Sequence, residues 1–287
     1  GITPTSFDFQ GSWELKTLKT TYAINILAQE ENFYFNESFI KYNFSDKTFL
    51  RIGQYYRDFS NYLNDELSSG SVLISNNAQP MPKIGLVTSQ KIKKSDSITF
   101  DLGIAHGVFD KNSFYTKSPL LHEKFVYMNI KKNNYQVSVG FVHEAMWGGS
   151  IVGLGDQPST FKDFIKIFFS EDGPAEEGYS HAANALGNHL GMTELFFQKN
   201  NNNQILKVYY QHFFEDTSSL RFRNEIDGLW GTELKNYIPN TTILLEYLDT
   251  THAFLDPPYQ ADYYYSNYQY LAGWTYKNNI IGNPFIN

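Results

Sequence analysis

Two short runs in this chain set an aromatic ring, carboxylates and glycines within a few residues of one another. His143, Glu144 and Trp147 precede Gly148-Gly149, and Asp227 and Trp230 fall in Asp227-Gly228-Leu229-Trp230-Gly231 with Glu233 just behind. Such sets suit carbohydrate. A pyranose ring stacks on Trp by apolar contact, while carboxylates and amides take hydrogen bonds from hydroxyls. The plainer alternative seats Trp147 and Trp230 at a boundary between water and an apolar phase, with the glycines marking bends, and it takes precedence for both runs.

His181, Asn188 and His189 raise the question of a metal, yet no HExxH pair, no histidines at ligand spacing and no EF-hand loop accompany them. They are read as hydrogen-bonding residues of a loop or a wet interior, and neither metal nor cofactor is expected. Glycoside hydrolysis needs two carboxyls about 5–9 Å apart. Glu194 and Glu246 could face one interior, but carboxylates are ordinary wall residues there and tune ion selectivity. No serine nucleophile elbow, Walker loop or dinucleotide fingerprint occurs. The chain is expected not to be an enzyme.

The elements that must carry these residues are strands. In Asn134–Gly149, Tyr135, Val137, Val139 and Phe141 fall on one face and Gln136, Ser138, Gly140, Val142 and Glu144 on the other, because strand side chains alternate. The pattern recurs along most of the chain in runs of about 9–11 residues, which suits a tilted membrane-spanning strand. The expected fold is all-β, a transmembrane antiparallel barrel forming one domain over 1–287, with a short helix over 159–169 in a loop.

Thr20–Gln29 places Tyr22, Ile24, Ile26 and Ala28 outward; Phe35–Phe44 sets Ser38, Ile40, Tyr42 and Phe44 against Glu37, Lys41 and Asn43; Lys47–Arg57 alternates Leu50, Ile52 and Tyr56 with Arg51, Gly53, Tyr55 and Arg57. Short turns join these three into a meander. Phe59–Gly70 reads as a solvated outer loop. In Ser71–Val87, Pro80 and Pro82 break the strand between Ile74 and Ile84. Ser97–Gly107 alternates Ile98, Phe100, Leu102 and Ile104 with Thr99, Asp101, Gly103 and Ala105. Leu121–Lys131 leaves its facing open between Phe125, Tyr127, Asn129 and Lys124, Val126, Met128, Ile130. In Ser159–Phe169, Phe161, Phe164, Ile165 and Phe168 repeat at helical spacing, and Ser159 after Pro158 can cap the start. This helix is expected to fold over or into the barrel mouth. Gly173–Gly178 reads as flexible, and strands resume at Leu190–Lys199, Ile205–Phe214 and Thr241–Thr250. Asp262–Lys277, rich in tyrosine, reads as an interface girdle. About a dozen strands result.

Composition agrees. The chain has 287 residues, no cysteine, 41% hydrophobic residues and a mean hydropathy of −0.41. No run nears the roughly 20 apolar residues of a membrane helix. Aromatics reach 17%, as interface girdles require. A net charge of −7 with no basic stripe argues against nucleic acid. The chain opens at Gly1 without an export signal and stops at Phe285-Ile286-Asn287, where a strand is expected to begin. It is therefore expected to be a piece of a longer precursor, incomplete at both ends.

Several motifs in order resemble the Wzi-type capsule-assembly proteins, particularly the longer members from Bacteroidetes. They are Ser75-Asn76-Asn77-Ala78-Gln79-Pro80-Met81-Pro82-Lys83-Ile84, His143-Glu144-Ala145-Met146-Trp147-Gly148-Gly149, Phe161-Lys162-Asp163-Phe164 and Gly187-Asn188-His189-Leu190-Gly191. Tyr210-Gln211-His212-Phe213-Phe214-Glu215-Asp216, Asp227-Gly228-Leu229-Trp230-Gly231, Gly273-Trp274-Thr275-Tyr276 and Ile281-Gly282-Asn283-Pro284 follow. The resemblance spans most of Ser75 to Asn287. It implies a bacterial outer-membrane barrel of about 18 strands that holds or assembles surface polysaccharide without catalysis. Expected partners are that polysaccharide, outer-membrane lipids and other outer-membrane proteins, with no nucleic acid. The expected polysaccharide-binding residues are His143, Glu144, Trp147, Asn188, His189, Asp227 and Trp230. The rivals are a passive porin, an accessory barrel in a larger envelope complex, and a soluble β-rich carbohydrate-binding domain.

Overall fold

The computed structural model describes residues 7–11, 19–29, 32–92, 95–173, 185–215, 222–253 and 263–286. The strands in chain order begin with β1 (Phe7–Gly11), β2 (Thr20–Gln29), β3 (Asn32–Ser45), β4 (Thr48–Gln54), β5 (Pro82–Lys91) and β6 (Ile98–Val108). Then come β7 (Tyr115–Lys117), β8 (Leu120–Lys132), β9 (Tyr135–Trp147), β10 (Ser150–Ile151), β11 (Gly155–Asp156) and the helix α1 (Phe161–Phe169). The chain continues with β12 (Asn188–Asn201), β13 (Gln204–Phe214), β14 (Gly228–Lys235), β15 (Thr242–Asp249), β16 (Thr275–Tyr276) and β17 (Asn279–Ile280). Twelve of these form one antiparallel sheet in the order β1-β2-β3-β4-β5-β6-β8-β9-β12-β13-β14-β15. It is a meander with β1 and β15 at its edges. Two-residue turns at Asn133-Asn134 and Asn202-Asn203 join long strands, with Asn133 and Asn202 at positive φ, which asparagine tolerates. Among the described residues no helix is long and apolar enough to cross a membrane.

The two faces differ as alternation predicts. Leu102, Val137 and Val139 are exposed on the outer face. Inward lie Glu123, Ser138, Val142, Glu144, Glu194 and Gln211, all buried. The strand with open facing is settled: Phe125, Tyr127 and Asn129 point inward, Val126 and Ile130 outward. Inward glycines leave room for rings from the next strand. A Cβ at position 140 would lie 2.2 Å from the Tyr127 ring, and one at 231 would lie 2.0 Å from that of Tyr209.

The interior is filled by the chain itself. Phe59, Leu63, Val72, Leu73, Ile74, Ala78 and Met81, between β4 and β5, share one core with Phe125, Val142, Met192, Phe196, Tyr209 and Phe213 of the wall. Tyr264, Tyr265, Tyr270, Trp274, Tyr276 and Ile281 join it from the C-terminal part. Asp58 pairs with Arg51 of β4, while Ser68 bonds to Glu246 of β15. Laid flat, strands eight neighbours apart in this sheet would stand about 38 Å from each other. A segment full of turns cannot reach that far, so the sheet curls around it.

Several expectations are corrected. Phe59–Gly70 is solvated only in part: Asn61, Asp65 and Glu66 are exposed, but Phe59 and Leu63 are buried and Ser60, Tyr62, Ser68 and Ser69 bond to carboxylates of the inner wall. The tyrosines of Asp262–Lys277 do not form a girdle; Tyr263 and Tyr268 are exposed, but the others are core. Trp274 donates its indole N–H to the Leu73 carbonyl at 2.8 Å, and Tyr270 its hydroxyl to that of Gly148 at 3.2 Å, so their polar handles are met internally. The run Lys47–Arg57 leaves the sheet at Gln54, where Tyr55 and Arg57 turn into the core. The segment before Pro82 is not strand, because β5 starts at that proline. Gly228–Lys235 is a strand that the alternation did not reveal, its Gly228 and Gly231 diluting the pattern. Residues 284–285 form a turn and Ile286 is buried, so the expected strand does not begin among the described residues. His181, Asp262 and 174–178 of the expected flexible stretch lie outside the described residues.

Candidate functional site

The inner wall is polar where the filling segment touches it. The Glu194 carboxylate of β12, 1% exposed, accepts hydrogen bonds from Ser60 at 2.6 Å, Tyr62 at 2.5 Å, Gln211 at 2.7 Å and the Tyr127 hydroxyl. Glu246 of β15 accepts from Ser68 and the Ser69 N–H, each at 2.7 Å, and from Tyr209 at 2.5 Å. Gln211 accepts from the Val72 N–H at 3.0 Å. Lys83 donates to Glu123 at 2.8 Å and to the Tyr56 carbonyl at 2.6 Å. Burial, then the Glu194 charge, holds the Tyr62 phenol well above its ordinary range, so Tyr62 stays a donor. Burial likewise raises the Asp58 carboxyl, with Arg51 opposing. Glu194 and Glu246 thus face one interior, and both are occupied by the chain's own donors. A cavity beside Tyr56, Ile74 and Met81 measures about 10 Å³, room for a single water.

The outer wall carries a second cluster that sequence reasoning only half saw. His106 of β6 stands opposite His122 of β8, and Lys124 of β8 stands opposite His143 of β9. His189 of β12 follows at the same level, its Nδ1 2.9 Å from His143 Nε2. These five side chains point outward, and α1 lies over them. Phe164 packs against His106, His122 and Trp147 with ring centroids 5.2, 5.4 and 5.8 Å apart. Lys124 donates to the Phe168 carbonyl at the helix end, where the dipole favours a cation. Ser170, the C-cap, sits 3.1 Å from His143 Nε2. Thr160 caps the start in a reciprocal capping box with Asp163, whose carboxyl those bonds hold below its usual range. The helix therefore sits on the outside of the wall, not in or over the mouth as expected. Its buried side needed an outer surface to pack on, and Ala145, Trp147 and Leu120 supply it.

The seven residues singled out from the sequence do not converge. His143, Trp147 and His189 lie under α1 on the outside. Glu144, one position from His143, points inward beside Glu123, and neither of its carboxylate oxygens has a hydrogen-bond partner. Asn188 is buried at the start of β12. Asp227, buried before β14, accepts from Tyr264 at 2.8 Å and from the ring and backbone N–H of His252. It forms with Asp249 and His252 the group of potential metal-ligand atoms found among the described residues. Trp230 is partly exposed on the outside and stacks on Tyr210, centroids 3.8 Å apart. The signal for the missed His106, His122 and Lys124 was parity, since each continues the outward register of its strand.

With this geometry in place, comparison with known proteins decides the family. The family described as Capsule assembly protein Wzi matches residues 5–286. This chain belongs to that family. The resemblance carried by the motifs from Ser75 onward is therefore borne out, and the match extends through the first strands of this chain as well. No curated protein matches this sequence. A solved structure, a triple mutant of Rh. blastica porin, aligns over 84% of this chain and 83% of its own at 8% identity, with a TM-score of 0.32. At that score the likeness carries no weight. Within the Wzi family chain, the wall and its filling are thus the arrangement from which function must be argued.

Proposed function

We propose that this chain is a barrel of the bacterial outer membrane that takes part in assembling or attaching surface polysaccharide without catalysing a reaction. The observation that carries the reading is the contrast between faces: an outer face of exposed Leu, Ile and Val, and an inner face whose Glu194 and Glu246 carboxylates are met by the chain's own filling. The first suits hydrocarbon. Among the described residues the second is packed with the chain's own segment, which engages Glu194 and Glu246 and favours an anchor over the porin reading. In lipid, β1 and β15 cannot keep unpaired edges, so closure of the sheet belongs to this proposal.

Surface polysaccharide and outer-membrane lipid are the partners it requires. The residues singled out from the sequence would act from beneath the surface: Asp227 ties β14 to Tyr264 and His252 at one rim, and His143 and His189 seat α1. The test is deletion of the gene in its host. The proposal expects cells that still make the polymer but shed it into the medium; a polymer layer kept fully attached contradicts it.

A further inference from the structure

We propose that α1 is an interfacial membrane helix, which roofs a polar, histidine-rich stretch of the outer wall and turns Phe161, Ile165 and Phe169 into lipid; this rests on the membrane reading above. On β9 the outward residues Tyr135, Val137, Val139 and Phe141 are exposed or half-buried, and then His143, Ala145 and Trp147 disappear under the helix. The same change is complete at His122 and His189, while Lys124 and His106 are half-buried and Val108, beyond His106, is exposed again. Tyr135 to Phe141 covers roughly 20 Å along the strand. A tilted strand must clear an apolar band about 25 Å tall. At a tilt of about 40° that stretch rises about 15 Å, so the histidines and Lys124 fall in the last part of the band, where a bare wall would set them against acyl chains.

The helix changes what that level presents. Ile167, Phe164 and Phe168 face the wall, leaving Phe161, Ile165 and Phe169 in a stripe at i, i+4 and i+8 with Phe161 78% and Phe169 64% exposed. Lys162 is exposed beside them, and Lys166 reaches back to the Asp172 carbonyl at 3.1 Å. An apolar stripe flanked by lysines is the pattern of a helix lying in the plane of the interface. It continues the oily surface of Val137, Val139 and Leu195, so the bilayer is the occupant that this face fits.

The chain has no cysteine, so single labels are unique. Nitroxides placed by Phe161→Cys, Ile165→Cys, Phe169→Cys, Lys162→Cys and, as wall reference, Leu195→Cys are read in the full chain in phosphatidylethanolamine–phosphatidylglycerol vesicles. Oxygen should relax the labels at 161, 165 and 169 several-fold more than a water-soluble nickel chelate does, as at 195, with the order reversed at 162. The exposed positions hold no core packing, so folding survives the changes. Nickel access at 161, 165 and 169 equal to that at 162, with 195 in lipid, overturns the inference and spares the membrane reading. Low access to both reagents there means a protein covers the stripe and also overturns it. Nickel access at 195 removes the membrane reading, and this inference with it.

Discussion

Ser60 and Glu194 stand 134 positions apart in the chain and meet in a 2.6 Å hydrogen bond inside the curled sheet. Ser60 is one of four donors that offset the desolvation of the buried Glu194 carboxylate. Glu194→Leu should strip the Ser60, Tyr62 and Tyr127 hydroxyls of their shared acceptor and lower stability by about 3 kcal/mol or more. Glu144→Leu removes a carboxylate that has no partner and should be neutral or stabilising. Urea midpoints of the two variants in detergent check this, and equal losses would refute the assignment.

Gly140 and Tyr127 make the same point sterically. Gly140→Ala would drive a methyl into the ring that donates to Glu194, at a cost of about 1–3 kcal/mol. Gly153→Ala, with open space around it but positive φ, should lose only backbone energy, about 1 kcal/mol. Thermal unfolding of the pair should rank Gly140→Ala as the weaker protein.

The filled interior predicts silence in planar bilayers. The intact chain should give no stable current, whereas deleting residues 58–74 should open steady conductance through the emptied interior. Stable channels from the intact chain would return the porin reading.

One rim should respond to pH. The hydrogen bond to the Asp227 carboxylate, helped by Glu225 and Asp249, raises the His252 imidazole above its usual range. The fold therefore binds that proton more tightly than the unfolded chain. The link is fully present below about pH 6.5 and is lost as pH rises through the raised value. Hydrogen exchange at Thr251–His252, corrected for intrinsic rates, should lose protection across that window. Asp227→Asn should flatten the response; a pH-independent profile in the unaltered chain would sink it.

Strands were legible because alternation is local: Val137 and Val139 announce their face from sequence spacing alone. The filling was not. Ser60 and Ser68 look like any solvated loop, because the groups they satisfy, Glu194 and Glu246, become neighbours only when the sheet curls. Tyr264, Tyr265 and Tyr270 misled for a related reason. A ring with one polar handle suits a membrane interface, and equally a core that offers a backbone carbonyl to accept it. The chemistry-bearing runs misled most, since His143 and Glu144 belong to opposite faces of one strand and cannot share a site.

The most direct test of the account is label scanning along β9 in the vesicle-bound full chain, at Val137→Cys, Ser138→Cys, Val139→Cys and Val142→Cys. Labels at 137 and 139 should contact lipid, with high oxygen and low nickel-chelate access, while those at 138 and 142 should be reached by neither. Nickel access at 137 and 139, or the loss of this period of two, would contradict the account.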